Sequence, residues 1–205
     1  MNRLLTNTDR KDLSNLIEDM FLICPDMMSR KITEANVQQA FVLDRILELG
    51  DKVNDSILSV GSFECTTTEY LINTGWNVSP IDPETDYDMH TYFQAFGEKF
   101  DYIISVSVIE HVEDDELFIY EICNSLNPGG IAILTCDFNN KFKAGMPVPY
   151  SDYRLYTEYD LNSRLRKIIQ ANACSYLGTP DWSGEPDFVY QGHHYSFATI
   201  VFRKE

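Results

Sequence analysis

The 205-residue chain lacks several features that would fix its class at once. Its five cysteines, Cys24, Cys65, Cys123, Cys136 and Cys174, form no Cys-x-x-Cys pair and have no histidine at zinc-finger spacing, so no metal site is expected. Cys123 and Cys136 sit in apolar stretches and suit free thiols of a reducing compartment. Basic residues are scarce: 16 Lys and Arg against 32 Asp and Glu leave a net charge of −16. Such a surface repels nucleic-acid phosphates and anionic lipid, and the basic group Arg164, Arg166, Lys167 is broken up. No nucleic-acid partner is expected. No apolar run reaches the length of a membrane span, and the opening MNRLLTNTDRKDLSNL has no apolar signal core. A cytoplasmic protein without a membrane span is the expectation.

What is present is a globular composition, with 44% hydrophobic residues and a length suited to one domain, 1–205, with a substantial core. Residues 9–23 and 31–49 have helical spacing, are separated by Pro25, and are expected to form an N-terminal helical cap over 1–50. The pattern then alternates. Strands are expected over 56–60, 76–81, 100–108 and 131–136, and helices over 66–73 and 114–126. Residues 84–98 suit either a short edge strand or a helix. After a Gly-, Pro- and Asn-rich loop come a helix near 158–170 and strands near 174–177 and 195–202, which should pair antiparallel for want of a crossover. The class is therefore α/β, a mainly parallel twisted sheet with helices on both faces and an antiparallel C-terminal edge strand.

Open α/β sheets bind ligands beyond the carboxyl ends of their strands. In ILSVGSFEC (57–65), Gly61 follows a strand and precedes a helix, which allows close backbone approach to a ligand. The second and third glycines of a dinucleotide fingerprint are replaced by Phe63 and Cys65, which disfavours a nicotinamide cofactor. Asp82, about twenty residues on, ends the next strand where a carboxylate can accept both ribose hydroxyls. Asp88 and Met89 lie where a third strand end would approach the same ligand. Glu110 and His111 follow the strand DYIISVSVI, and an imidazole there can act as a general base. Asp137 ends the next strand. Tyr150, Asp152, Arg154 and Tyr156 come from the loop after it, with side chains suited to a hydroxylated or anionic substrate. His193 and His194 flank the last strand, where only one of two neighbours can face a pocket.

Together ILSVGS, Asp82 and FDYIISVSVIEHV…LNPGGIAILT resemble the class I S-adenosylmethionine-dependent methyltransferases, over about residues 53–140. DYRLYTEYDLNSRL and SFATIVFRK are similar to a compact bacterial subgroup linked to sugar and surface-polysaccharide modification. The resemblance implies the Rossmann-like fold of that class, S-adenosyl-L-methionine as cofactor, and cofactor contacts from Gly61, Ser62, Phe63, Asp82, Asp88, Met89, Ser107, Val108 and Ile109. Ser59 stands where the family has an acid, so contacts at the methionine end pass to backbone, Ser62, or Gln38 and Gln39 of the N-terminal helices. It further implies methyl transfer to a hydroxyl of a sugar or sugar-nucleotide, with His111 as base and Asp137 as the alternative. Glu110, Tyr150, Arg154, Tyr156 and His194 are expected to face the acceptor. An N-methyltransferase of a small amine and a silent cofactor-binding subunit are the other readings, in a monomer or homodimer.

Overall fold

The computed structural model describes residues 1–205. In chain order it contains β1 (Leu4–Leu5), α1 (Asn7–Asp12), α2 (Ser14–Ile23), α3 (Pro25–Met28), α4 (Asn36–Leu49), β2 (Ser56–Val60), α5 (Thr66–Asn73), β3 (Asn77–Ile81) and α6 (Met89–Phe96). Then follow β4 (Phe100–Val106), α7 (Asp115–Ser125), β5 (Leu126–Phe138), α8 (Arg166–Ala171), β6 (Cys174–Tyr176), β7 (Phe188–Tyr190) and β8 (His193–Lys204). Short 3-10 turns cover Thr33–Ala35 and Ile109–His111, and a π turn over Asp160–Leu165 leads into α8.

The strands form one eight-stranded sheet in the order β1-β8-β5-β4-β2-β3, with β6 and β7 also paired to β8. β3, β2, β4 and β5 run parallel, and β8 lies antiparallel to β5 from Ile131↔Arg203 to Phe138↔Ser196. The parallel strands are apolar without alternation because both faces are covered. Successive residues feed opposite sides: Leu58, Ile103 and Ala132 join Phe118, Ile119 and Ile122 of α7 in one cluster. Ile57, Ile104 and Ile133 join Phe41, Leu43 and Ile46 of α4 in the other.

Several expected boundaries move, for local reasons. Residues 84–98 hold α6, started by Asp88, whose Oδ1 accepts the Thr91 N–H at 2.7 Å, so no edge strand forms there. Pro25 opens α3 at its first position instead of only separating two helices. β5 begins five residues earlier than 131, with a bulge opposite Phe100–Tyr102 that absorbs the Pro-Gly-Gly turn. Gly130 is needed in it, since a Cβ there would meet the Asn127 carbonyl oxygen at 2.9 Å. The two-residue β1 has too short a pattern to announce itself, and it pairs through Leu4↔Ala198 and Leu5↔Phe197. The late strands do pair antiparallel, Cys174↔Lys204 to Tyr176↔Phe202.

One buried carboxylate ties the C-terminal region to α7. Asp115, 2% exposed, accepts from Arg164 Nη1 and Nη2 at 2.7 Å each and from the Tyr156 hydroxyl at 2.8 Å, and pairs with Arg154 Nη1 at 2.9 Å. Burial alone would raise its pKa, but Arg164, Tyr156 and Arg154 together hold it below the usual carboxylate value. Its stabilisation is therefore complete above the unfolded value of about 4 and is lost as pH falls through the lower folded value. Asp115→Asn should cost about 3 kcal/mol by denaturant unfolding at pH 7, less at pH 3, because two guanidinium groups lose their counter-charge. An equal cost at both pH values would contradict this.

Candidate active site

The loop after β2 is drawn onto the ends of its neighbours. Gly61 and Ser62 donate their N–H groups to the Ile81 carbonyl at 3.0 and 3.1 Å. Asp82, 8% exposed, accepts the Phe63 N–H on Oδ2 at 3.0 Å and the Glu84 N–H on Oδ1 at 2.9 Å. Gly61 has φ +75°, and a Cβ on it would lie 2.3 Å from Val108 Cγ2. This close approach leaves two cavities, of about 520 and 580 Å³, which share Gly61, Pro83, Val108 and His111. Asn36, Gln38 and Gln39 of α4 line the first, and Met89 and His90 of α6 with Leu117 and Phe118 of α7 line the second.

The first cavity holds an acidic recess. Glu110 is 1% exposed on the turn after β4, and neither carboxylate oxygen has a hydrogen-bond partner. Asp137 ends β5, buried, with Oδ1 unpartnered. Asp152 reaches in from the 139–157 loop, its Oδ1 3.1 Å from His111 Nδ1 and its Oδ2 unpartnered. Tyr195 of β8 closes the side next to Asp137. Burial pushes the Glu110 carboxyl up to about 7, with His111 opposing the rise. Burial, then the charges of Glu110 and Asp152, drive Asp137 well above the ordinary carboxylate range. The hydrogen bond to Asp152 outweighs burial and raises His111 to about 9.

That last value bears on the expectation that His111 acts as a base. The Asp152 carboxylate favours the imidazolium form of His111, which offers no lone pair to a proton, whereas burial brings Glu110 up to about 7. Arg154 and Tyr156 do not face the cleft: both are spent on Asp115, and Arg154 Nη2 also donates to the Val112 and Glu113 carbonyls. His194 is exposed outside the cleft lining, and the alternation of β8 turns Tyr195 and Phe197 into it instead. Ile109 is fully buried in the core, and its carbonyl accepts from Tyr156. Ser62 lines neither cavity.

The remaining expected residues come together. Phe63, Asp82, Ser107 and the exposed Tyr150 line the first cavity, Asp88 and Met89 the second, and Gly61 and Val108 both. Ser107, at φ 51°, donates its hydroxyl to Gln38 Oε1 at 2.9 Å. Asp88 spends only Oδ1 on capping α6. Ser59, where the family resemblance lacks its acid, is buried against the Thr68 hydroxyl at 2.5 Å. Asn36, with both amide atoms buried and unpartnered in the first cavity, carries no signal in its local sequence. Asp152 is brought in by long-range pairing, the Tyr153 N–H donating to the Glu110 carbonyl at 2.8 Å.

A family described as a methyltransferase domain matches residues 34–172, more than half of the chain. The chain belongs to this methyltransferase family. A ubiquinone biosynthesis O-methyltransferase of Chelativorans sp. is 40% identical over 60 residues, 29% of this methyltransferase and only 23% of that protein. Among solved structures, TehB of Haemophilus influenzae superposes with a TM-score of 0.56 at 16% identity, covering 80% of this chain and 62% of its own. CalS10 of Micromonospora echinaspora, an amino pentose methyltransferase, gives 0.54 at 14% identity over 86% of this chain and 93% of its own. A Burkholderia thailandensis 1,6-didemethyltoxoflavin-N1-methyltransferase gives 0.54 at 16% over 98% and 91%. At these identities the structural likeness shows the fold, a Rossmann-like methyltransferase sheet with an antiparallel strand at one side.

The recess makes a titration testable. His111 in the methyltransferase should titrate near 9 by NMR, and Asp152→Asn should bring it down toward the unperturbed value of about 6.5. Because the folded value is raised, the pair stabilises the fold fully below about 6.5 and the gain is lost as pH rises through 9. An unchanged His111 midpoint in Asp152→Asn would refute the pairing.

Proposed function

We propose that the protein is an S-adenosylmethionine-dependent methyltransferase acting on a small polar acceptor, a sugar or a molecule of similar size, held in the acidic recess. The observation that carries this reading is the pair of cavities joined over Gly61 at the carboxyl ends of the parallel strands, one of them containing an unpartnered Glu110. The residues present fit the cofactor: Gly61 lets the ends of β2 and β4 close up where a Cβ would overlap Val108, exposing backbone at the junction of the two cavities, and Asp82 retains lone pairs beyond its two backbone bonds. Asp82 would hold the ribose, Met89 and the free Oδ2 of Asp88 the adenine, and the Phe63 and Ser107 region with Asn36, Gln38 and Gln39 the methionine end. CalS10, described with bound S-adenosylmethionine, and the toxoflavin-type enzyme, with bound S-adenosylhomocysteine, support the assignment. The sugar reading rests on the sequence resemblance and on CalS10's amino pentose. Glu64, Asp82, Glu84, Glu110, Asp137 and Asp152 line the first cavity against Lys31 and His111, which argues against a phosphate-bearing acceptor such as a sugar-nucleotide.

When bound, S-adenosylmethionine supplies a methyl group on a positively charged sulfur. The chain's part is positioning, dryness and proton handling. Well-oriented reactants gain about 7–11 kcal/mol of effective concentration, and buried walls such as Val106, Phe188 and Phe197 keep water from the acceptor. Glu110, with a value of about 7, takes the proton of the attacking hydroxyl or ammonium. Asp137 and Tyr195 orient the acceptor, and the His111 imidazolium fixes Asp152.

Labelled S-adenosylmethionine incubated with the protein and a small-molecule cell extract tests this. The protein should transfer label, Glu110→Gln should reduce the rate by about 10²–10⁴-fold, and His111→Ala by far less. No transfer, or full activity in Glu110→Gln, would overturn the assignment.

A further inference from the structure

Four carboxylate oxygens of residues lining the recess are buried without a well-formed hydrogen bond: Glu110 Oε1 and Oε2, Asp137 Oδ1 and Asp152 Oδ2, with only the Ser107 side chain near Glu110 and the Tyr195 hydroxyl near Asp137. They come from three separate stretches of chain, the turn after β4, the end of β5 and the 139–157 loop. Glu110 is 1% exposed and Asp137 6%, so water does little to satisfy them. Buried acceptors of this kind are costly to keep unless something in the working state donates to them. We infer that the Glu110–Asp137–Asp152 recess is a subsite for a protonated amine, so that the acceptor of the proposed methyltransferase carries an ammonium group there.

Counting donors separates the possibilities. A hydroxyl brings one O–H and would leave most of these oxygens unmet, whereas a primary ammonium brings three N–H donors and the positive charge to match. A metal ion is the other way to satisfy such a set, but no three His, Cys, Asp or Glu side chains here are disposed to hold one. An anionic group is repelled by the same carboxylates.

The groups facing Glu110 are His111 on its own turn, Asp137 and Cys136 on β5, Asp152 on the loop and Tyr195 on β8. His111 is the one positive charge among them, and its Nδ1 is engaged by Asp152 Oδ1. The recess thus lacks a cation on its Glu110 and Asp137 side. An arriving ammonium favours ionised Glu110, and one of its protons then passes to a Glu110 oxygen: the N–H bond breaks, an O–H bond forms, and the nitrogen keeps the electron pair. The amine so freed is the nucleophile that the proposed function needs.

Methylammonium chloride is the probe, with potassium chloride at equal ionic strength as control, in a carboxyl-detected NMR titration of the full chain without cofactor. The inference expects saturable shifts of the Glu110, Asp137 and Asp152 carboxyl signals with methylammonium at about 5–100 mM, the range open to so small a ligand. It expects a lower Glu110 titration midpoint in the complex, and no such change with potassium. Glu110→Gln and Asp137→Asn, each checked for cooperative unfolding at a melting temperature no lower than the parent's, should weaken methylammonium at least about tenfold, equivalent to 1.4 kcal/mol. Equal responses to the two cations, or undiminished binding in both folded variants, would overturn the subsite. The titration involves no methyl transfer, so its failure leaves the methyltransferase reading intact, and absent label transfer alongside a positive titration would remove that reading alone.

Discussion

The approach of the Gly61 backbone to Val108 is the constraint on which the site depends. A side chain at Gly61 would overlap Val108, so the ends of β2 and β4 meet closely only because none is there. The loop is then pinned by two N–H bonds to Ile81 and one to Asp82, which puts the end of β3 beside them. Three parallel strands thus converge on one short ridge with a cavity on each side. A ligand with two unlike ends lying across that ridge would meet Asp82 and Glu110 in the first cavity and Asp88 and Met89 in the second.

The second organising fact is electrostatic. Folding places Glu110, Asp137 and Asp152 together behind a partly exposed histidine. Since Glu110 and Asp137 have folded values raised above their unfolded ones, the fold loses stability as pH rises from about 4.5 toward 7, the range where the unfolded chain ionises and the buried acids resist. Functional sites commonly carry such unfavourable groups because ligand binding repays them. The Asp115 cluster shows the opposite case in the same molecule. There a carboxylate of similar burial is matched by two guanidiniums and a phenol, and its role is to hold the loop that delivers Asp152.

Much of this was legible in the residues. Gly61, Asp82, the Glu110-His111 turn and Asp137 all sit at strand ends, and the unbroken apolar runs SILSV, YIISV and IAILTC, buried almost throughout, are what a sheet covered on both faces requires. What escaped depends on distant pairing. Whether Tyr156 faces ligand or Asp115, and whether Asp152 faces solvent or Glu110, is decided by the fold of the 139–157 loop over α7. The raised pKa of His111 comes first from Asp152, forty-one residues away in sequence. The β1 strand is two residues long and exists only because β8 offers it an edge.

Calorimetry with S-adenosylhomocysteine tests the central claim most directly, because it needs no knowledge of the acceptor. The account predicts one site per chain, with binding abolished in Gly61→Val, whose side chain would occupy the ridge between the cavities. No heat of binding at about 1 mM ligand, or equal affinity in the folded Gly61→Val variant, would contradict it.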